Sequence, residues 1–231
     1  MPTTSTRALR DTITNILDFL VESELALYAN PVALTPTRVT FHRHDPEAPF
    51  LADRNPPSVE HYRNWIDTGT YSAVLLDGAL LQMTYDVEGG RVVGHRLAYI
   101  PCPYALNAEL VDEGVPIGDI VDLHDGESPI LASPIRFDFD PASARPGHPP
   151  AHLTINGSDC RIAVVAAMHP LQFVDFVFRN FYPVLWRAQA PFFADAATRQ
   201  VPHRIAPLDE PHVPHLAWVR VAAIPRPSAA R

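Results

Sequence analysis

Lysine is missing from this sequence: all 18 basic residues are arginines. Without a lysine amine the chain cannot form a Schiff base through that side chain, and it has no P-loop lysine to reach a nucleotide's phosphates. A GC-rich coding sequence produces the same bias toward Arg, Pro, Ala and Val, so the absence narrows the chemistry without signalling a function. Cysteine is scarce as well, with only Cys102 and Cys160. Two thiols are too few for a disulfide framework or a four-thiolate zinc cage. Cys102, between Pro101 and Pro103, has no base beside it and reads as a buried structural thiol. No Gly-rich loop joins a strand to a helix, which argues against a Rossmann or P-loop core. No apolar run approaches the roughly 20 residues needed to cross a bilayer. The opening "MPTTSTRALRDTITN" lacks the apolar centre of a signal peptide. The expected location is therefore the cytoplasm, with no membrane partner. A surplus of positive charge is also lacking. The formal net charge is -8, which removes the global basic field that sequence-independent duplex binding needs but leaves room for a local arginine patch.

What remains is an ordinary globular composition, 47% hydrophobic and 19% charged over 231 residues, enough to bury a real core. The expected organisation is a single domain over residues 1–225 with a frayed tail, 226–231. Leu9, Ile13, Ile16, Leu17, Leu20 and Val21 recur at helical spacing behind a cap at Thr4 or Ser5, and Asn30-Pro31 is the expected stop. "VALTPTRVTF" reads as a short strand, the segment 42–57 as a proline-rich connection, and "SVEHYRNWIDTG" as a helix ending at Gly69. Three strands then follow over 71–100, with turns at Asp77-Gly78 and Gly89-Gly90. One or two helical turns precede three further strands, "SPIRFDFDP", "AHLTINGSD" and "CRIAVVAAM". Pro170 opens a helix that Pro183 kinks or ends, and "HLAWVRVAAI" is a possible last strand. The fold class is α+β: an antiparallel sheet of about six to eight strands, with helices at the N-terminus and after the central strands.

The chemistry concentrates between Arg136 and Asn156. Strand side chains alternate faces, so Arg136, Asp138 and Asp140 share one side of "IRFDFD", opposite Ile135, Phe137 and Phe139. His152, Thr154 and Asn156 likewise share one side of "HLTIN". If the two strands pair, their polar sides coincide, and His148 in the intervening loop can fold over them. Two carboxylates with one or two histidines suit a divalent metal, so Asp138, Asp140, His148 and His152 form a candidate Mn²⁺, Mg²⁺ or Zn²⁺ set. Without metal, His152 is a candidate general base, with Asp138 and Asp140 as its catalytic partners. Arg136, Arg96 and Arg161 are candidate phosphate contacts, and Asn156 a positioning group. The same alternation also fits the wet face of a half-exposed sheet whose charges merely pair across strands. Two histidine pairs, His42 with His44 and His212 with His215, have metal-like spacing. Among 11 histidines such pairs arise by chance.

Four blocks taken in order, "HRLAYIPCP", "SPIRFDFDP", "HPPAHLTINGSDCRIAV" and "FVFRNFYP", resemble a family of uncharacterised bacterial proteins, a domain of unknown function. The likeness covers roughly 71–186 and departs from the pattern at Ala163 and Val164, where a proline is expected nearby. It implies a soluble bacterial accessory protein, associated with defence or mobile-element genes, and carries no activity with it. Three roles remain open for the polar face. One is an enzyme acting on a phosphate-bearing substrate, a nucleotide or nucleic acid. Another is a non-catalytic module that recognises a nucleic-acid end or a partner protein. The third is purely structural, a polar sheet face in a multi-subunit assembly.

Overall fold

The computed structural model describes residues 5–41, 58–156, 160–164, 166–196, 199 and 215–216. Helix α1 spans Thr6–Glu22, and its N-cap is Ser5, whose hydroxyl accepts the Ala8 N–H. Leu9, Ile13, Ile16, Leu17 and Leu20 are buried along one stripe, while Val21 at its margin is exposed. The helix does not run on to the Asn30-Pro31 pair. Glu24 adopts φ 57, a left-handed turn that the helix cannot continue through. The chain then enters strand β1, Ala26–Ala29. "VALTPTRVTF" forms two strands, β2 (Val32–Leu34) and β3 (Arg38–Phe41), paired as a hairpin. Helix α2, Val59–Thr68, begins at a Ser58–His61 capping box and ends at Gly69 in the left-handed conformation.

Strands β4 (Ala73–Leu75), β5 (Leu80–Glu88) and β6 (Arg91–Ile100) form the antiparallel meander. Gly89 and Gly90 both have positive φ, the requirement of a two-residue hairpin turn whose twist matches its strands. Two short helices follow, α3 (Ala108–Asp112) and α4 (Ile117–Asp122). Next come β7 (Ile135–Phe139), β8 (Ala151–Ile155) and β9 (Arg161–Val164). Helix α5, Pro170–Phe181, stops before Pro183, which instead opens α6, Pro183–Ala188. A last turn, α7 (Ala190–Phe193), precedes the two-residue strand β10, His215–Leu216.

The architecture is α+β. The sheet runs β1-β4-β5-β6-β7-β8-β9-β10, with the β2–β3 hairpin joined to it through β5. Nine strands pair antiparallel, and β10 adds a short parallel rung on β9. The sheet is thus wider than six to eight strands. The surplus is β1, a four-residue strand too short to show a period of two, and the division of "VALTPTRVTF" into β2 and β3. The proline-rich segment 42–57 and most of the C-terminal region lie outside the described residues, as do His42, His44, His212 and the side chain of His215. Among the described residues, no helix is long and apolar enough to cross a membrane.

Both faces of the sheet carry a core. Met83, Tyr85, Leu97, Phe137, Phe139 and Leu153 point to one side, where α1 and α5 cover them. Leu80, Ala98 and Ile100 point to the other and pack against Tyr62 and Trp65 of α2 and Ile117, Ile120 and Val121 of α4. Each fully buried large apolar side chain contributes about 1.5–3 kcal/mol, so two such layers hold the sheet from both sides. Helices α2 and α4 cover only part of their face. Farther along the same face, the outward positions of β5–β9 are polar: Thr84, Arg96, Asp138, His152, Arg136, Thr154 and Arg161.

Candidate functional site

Register builds this polar face. Across β7 and β8, Arg136 lies opposite Thr154 and Asp138 opposite His152. Across β6 and β7, Arg96 lies opposite Asp138, and Arg161 of β9 lies opposite Thr154. The period of two puts Arg136 and Asp138 of one strand on the same side, and the Arg136 Nε–H donates to Asp138 Oδ2 at 2.7 Å. The same oxygen faces His152 Nε2 at 3.4 Å. Asp138 is 7% exposed and His152 2%, so this Arg–Asp–His group is shielded from bulk water and its charges are poorly screened. Burial alone would raise the Asp138 carboxyl, but the His152 hydrogen bond and the Arg136 charge outweigh it and hold the group below the usual carboxylate range. Its second oxygen, Oδ1, is buried with no hydrogen-bond partner among the described residues, and the same holds for the Thr154 hydroxyl.

His152 is held at both nitrogens. Nδ1 lies 2.9 Å from the Pro149 carbonyl; a carbonyl only accepts, so Nδ1 carries the proton. Nε2 then faces a carboxylate oxygen. A ring whose two nitrogens both meet acceptors is built to donate, and at 2% exposed it offers no lone pair to a substrate. The general-base reading of His152 gains nothing from this arrangement.

His148 is placed differently. Arg145 and His148 exchange two backbone hydrogen bonds, 3.1 and 2.8 Å, around Pro146 and Gly147, the latter at φ 74. Proline first and a positive-φ glycine second is the chemistry of a type II turn. It stands the His148 ring edge-on to His152, centroids 4.9 Å apart. Partial burial, then the charges of His152, Arg161 and Arg145, push His148 below the ordinary histidine value. It is half-buried, and its Nδ1 has no hydrogen-bond partner among the described residues. A neutral, partly accessible imidazole beside three potential cations is the acid–base group this face offers.

Two expected members do not join. Strand β7 ends at Phe139, and Asp140 turns to cap the 3-10 turn 141–143, accepting the Ser143 N–H at 3.3 Å and its O–H at 2.7 Å. Asp140-Pro141 is a turn former before it is a strand position, and alternation fails there. Asn156 lies one residue past β8, exposed, with φ 48 and its N–H bonded to the Pro134 carbonyl. Its side chain is not positioned by the strand. With Asp140 turned away, the four-residue metal set does not assemble: among the described residues no group of three or more His, Cys, Asp or Glu side chains could hold a metal ion. Arg96 is exposed on β6, and Arg161 is half-buried on β9.

The sequence reading missed Arg145 and Thr154. The Arg-Pro-Gly-His turn was the available signal for Arg145. Thr154 was visible on the polar side of β8 but was given no role. His95 could have been mistaken for a catalytic group. It is buried on the opposite face, where its Nε2 accepts the Met168 N–H at 2.9 Å and so anchors the β9–α5 connection. Cys102 is buried, and burial pushes its thiol up, away from nucleophilic use.

A family model described as "Uncharacterized conserved protein (DUF2290)" matches residues 21–218. No curated protein and no solved structure matches the chain.

Proposed function

Since the chain belongs to the family of uncharacterized conserved proteins DUF2290, defined by sequence rather than by chemistry, we propose a function from the site itself. The polar sheet face recognises a phosphate-bearing ligand, a nucleotide or the end of a nucleic acid, without a bound metal. One observation carries this reading. Arg136 and His152 contact one buried carboxylate, His148 stands edge-on to His152, and Arg161 on β9 and Arg145 in the His148 turn lie close enough to depress His148. Guanidinium forks match phosphoryl oxygens in geometry and charge. Asp138 fixes Arg136 and His152 in place, a supporting role for the cations around it.

A second reading, acid–base chemistry on that ligand, is favoured by His148 alone. Its ring is partly exposed and its lowered proton affinity keeps it unprotonated at pH 7. Because Nδ1 is buried without a partner among the described residues, Nε2 is the nitrogen it would turn to a ligand.

Titration calorimetry with AMP, ADP, ATP and a 5′-phosphorylated oligonucleotide tests the proposal. Binding should survive a chelator and weaken as salt rises. It should fall about tenfold or more in an Arg145→Gln/Arg161→Gln double variant. Lack of binding to every phosphate ligand at millimolar concentration, or affinity indifferent to the double variant, sinks it. His148→Gln separates the two readings: lost turnover with retained binding supports chemistry, and binding with no turnover in the parent protein leaves a recognition module.

A further inference from the structure

A cleft of about 950 Å³ opens at the other end of β6, outside the polar face. It lies between the C-terminal end of α1, the β4–β5 turn, α3 and the segment that precedes β7. Leu76, Leu106, Val111 and Ile130 form much of its wall, and Leu76 and Ile130 are exposed at 40% and 53%. Exposed leucine and isoleucine facing a common hollow are costly in water unless something covers them. The volume falls at the upper end of the range for small-molecule sites.

Among the described residues, the charge lining this cleft has one sign. Glu24, Asp77 and Asp112 line it, and no arginine or histidine does among the described residues. Asp77 is held rigidly: its carboxylate accepts the Tyr182 O–H at 2.8–2.9 Å and the Ala79 N–H at 3.1 Å. Tyr182 in turn lies 3.2 Å from the Tyr99 hydroxyl, and Tyr99 itself lines the cleft. The donors that fix this carboxylate are neutral and bring no opposite charge to the apolar wall beside it. That combination repels anions and gains little from neutral polar ligands.

We propose that this cleft binds a small organic cation: an apolar or aromatic body lying on Leu76, Leu106, Val111 and Ile130, with one amine or guanidine directed to the carboxylates of Glu24, Asp77 and Asp112. The site is independent of the phosphate-binding reading, since it shares no residue with it.

Three ligands with the same aromatic body and different charge test the proposal: tryptamine, tryptophol and indole-3-acetate, titrated by ligand-observed NMR against the full chain. Tryptamine should bind about tenfold tighter than indole-3-acetate at low salt, with tryptophol between them and the gap closing as salt rises. Glu24→Gln/Asp112→Asn, both at exposed positions, should shrink tryptamine's advantage over tryptophol to the share that Asp77 supplies and leave tryptophol unchanged. Ala108→Phe, an exposed lining position, should remove binding of both by filling the cleft. Equal affinity for all three ligands, no binding at millimolar concentration, or a cation preference undiminished in the double variant overturns the proposal.

Discussion

Lowering the pH from 7 to 4 should unseat the start of α5, through one histidine. His169 is the N-cap of that helix: its Nδ1 accepts the Leu171 N–H at 3.1 Å, and its own N–H donates to Gln172 Oε1 at 2.9 Å. Burial, and then the charge of Arg199, push its pKa down to about 4. An acceptor nitrogen must keep its lone pair, so the protonated ring loses the cap and also places a cation at the positive end of the helix. In the unfolded chain the same ring takes up its proton near 6.5. Between these two values the unfolded state holds more protons, so stability rises with pH across that window and falls as acid is added. The native contribution is intact above about 6.5. Relative to pH 7 it has dropped by about 2 kcal/mol at pH 5 and by about 3 kcal/mol at pH 4. Urea denaturation at a series of pH values reads this directly, with His169→Asn as the reference, because asparagine caps a helix without titrating there. The parent should lose about 3 kcal/mol more than the variant between pH 7 and pH 4. Parallel stability curves for the two proteins would refute the assignment, whatever the other carboxylates contribute.

Asp138→Asn removes the charge that Arg136 and His152 share; leaving a buried imidazole and a half-buried guanidinium without their anion should cost about 3 kcal/mol, read as a lower urea midpoint at unchanged slope. Gly78→Ala should cost about 2 kcal/mol, because Gly78 has φ 84 and an added Cβ would lie 2.8 Å from Leu106 and 3.1 Å from the Cys102 sulfur; thermal melting measures it, and an unchanged Tm would contradict the close packing at that turn. Tyr85→Phe deletes the buried hydroxyl that donates to the Met168 carbonyl at 2.9 Å and should lower stability by about 1 kcal/mol, with hydrogen exchange quickening first around residues 166–168.

Much of the fold was legible because strong local signals agreed with the tertiary outcome. Ser5, Ser58 and Gly69 act as the helix boundaries their chemistry suggests. The glycine pair at 89–90 makes the hairpin that aligns β5 with β6, and Pro183 divides α5 from α6. Where reading failed, a local preference lost to a partner elsewhere. Ala26–Ala29 extends the apolar pattern of α1 but pairs with β4 instead. Asp140 obeys the alternation on paper but is taken by Ser143.

Alternation by itself determined that Arg136 and Asp138, and likewise His152 and Thr154, must each share a side of their strand, since that follows from backbone geometry within a few residues. Only the tertiary structure decided that β7 and β8 are neighbours in the register that sets Asp138 against His152, that His148 stands edge-on to His152, and that Asp140 stays out of the group. Those outcomes depend on contacts between segments far apart in the chain or on competition at a strand end, and neither leaves a periodic trace in the sequence. The carboxylate-lined cleft belongs to the same class: α1, the β4–β5 turn and α3 enclose it, and no one of them contains it.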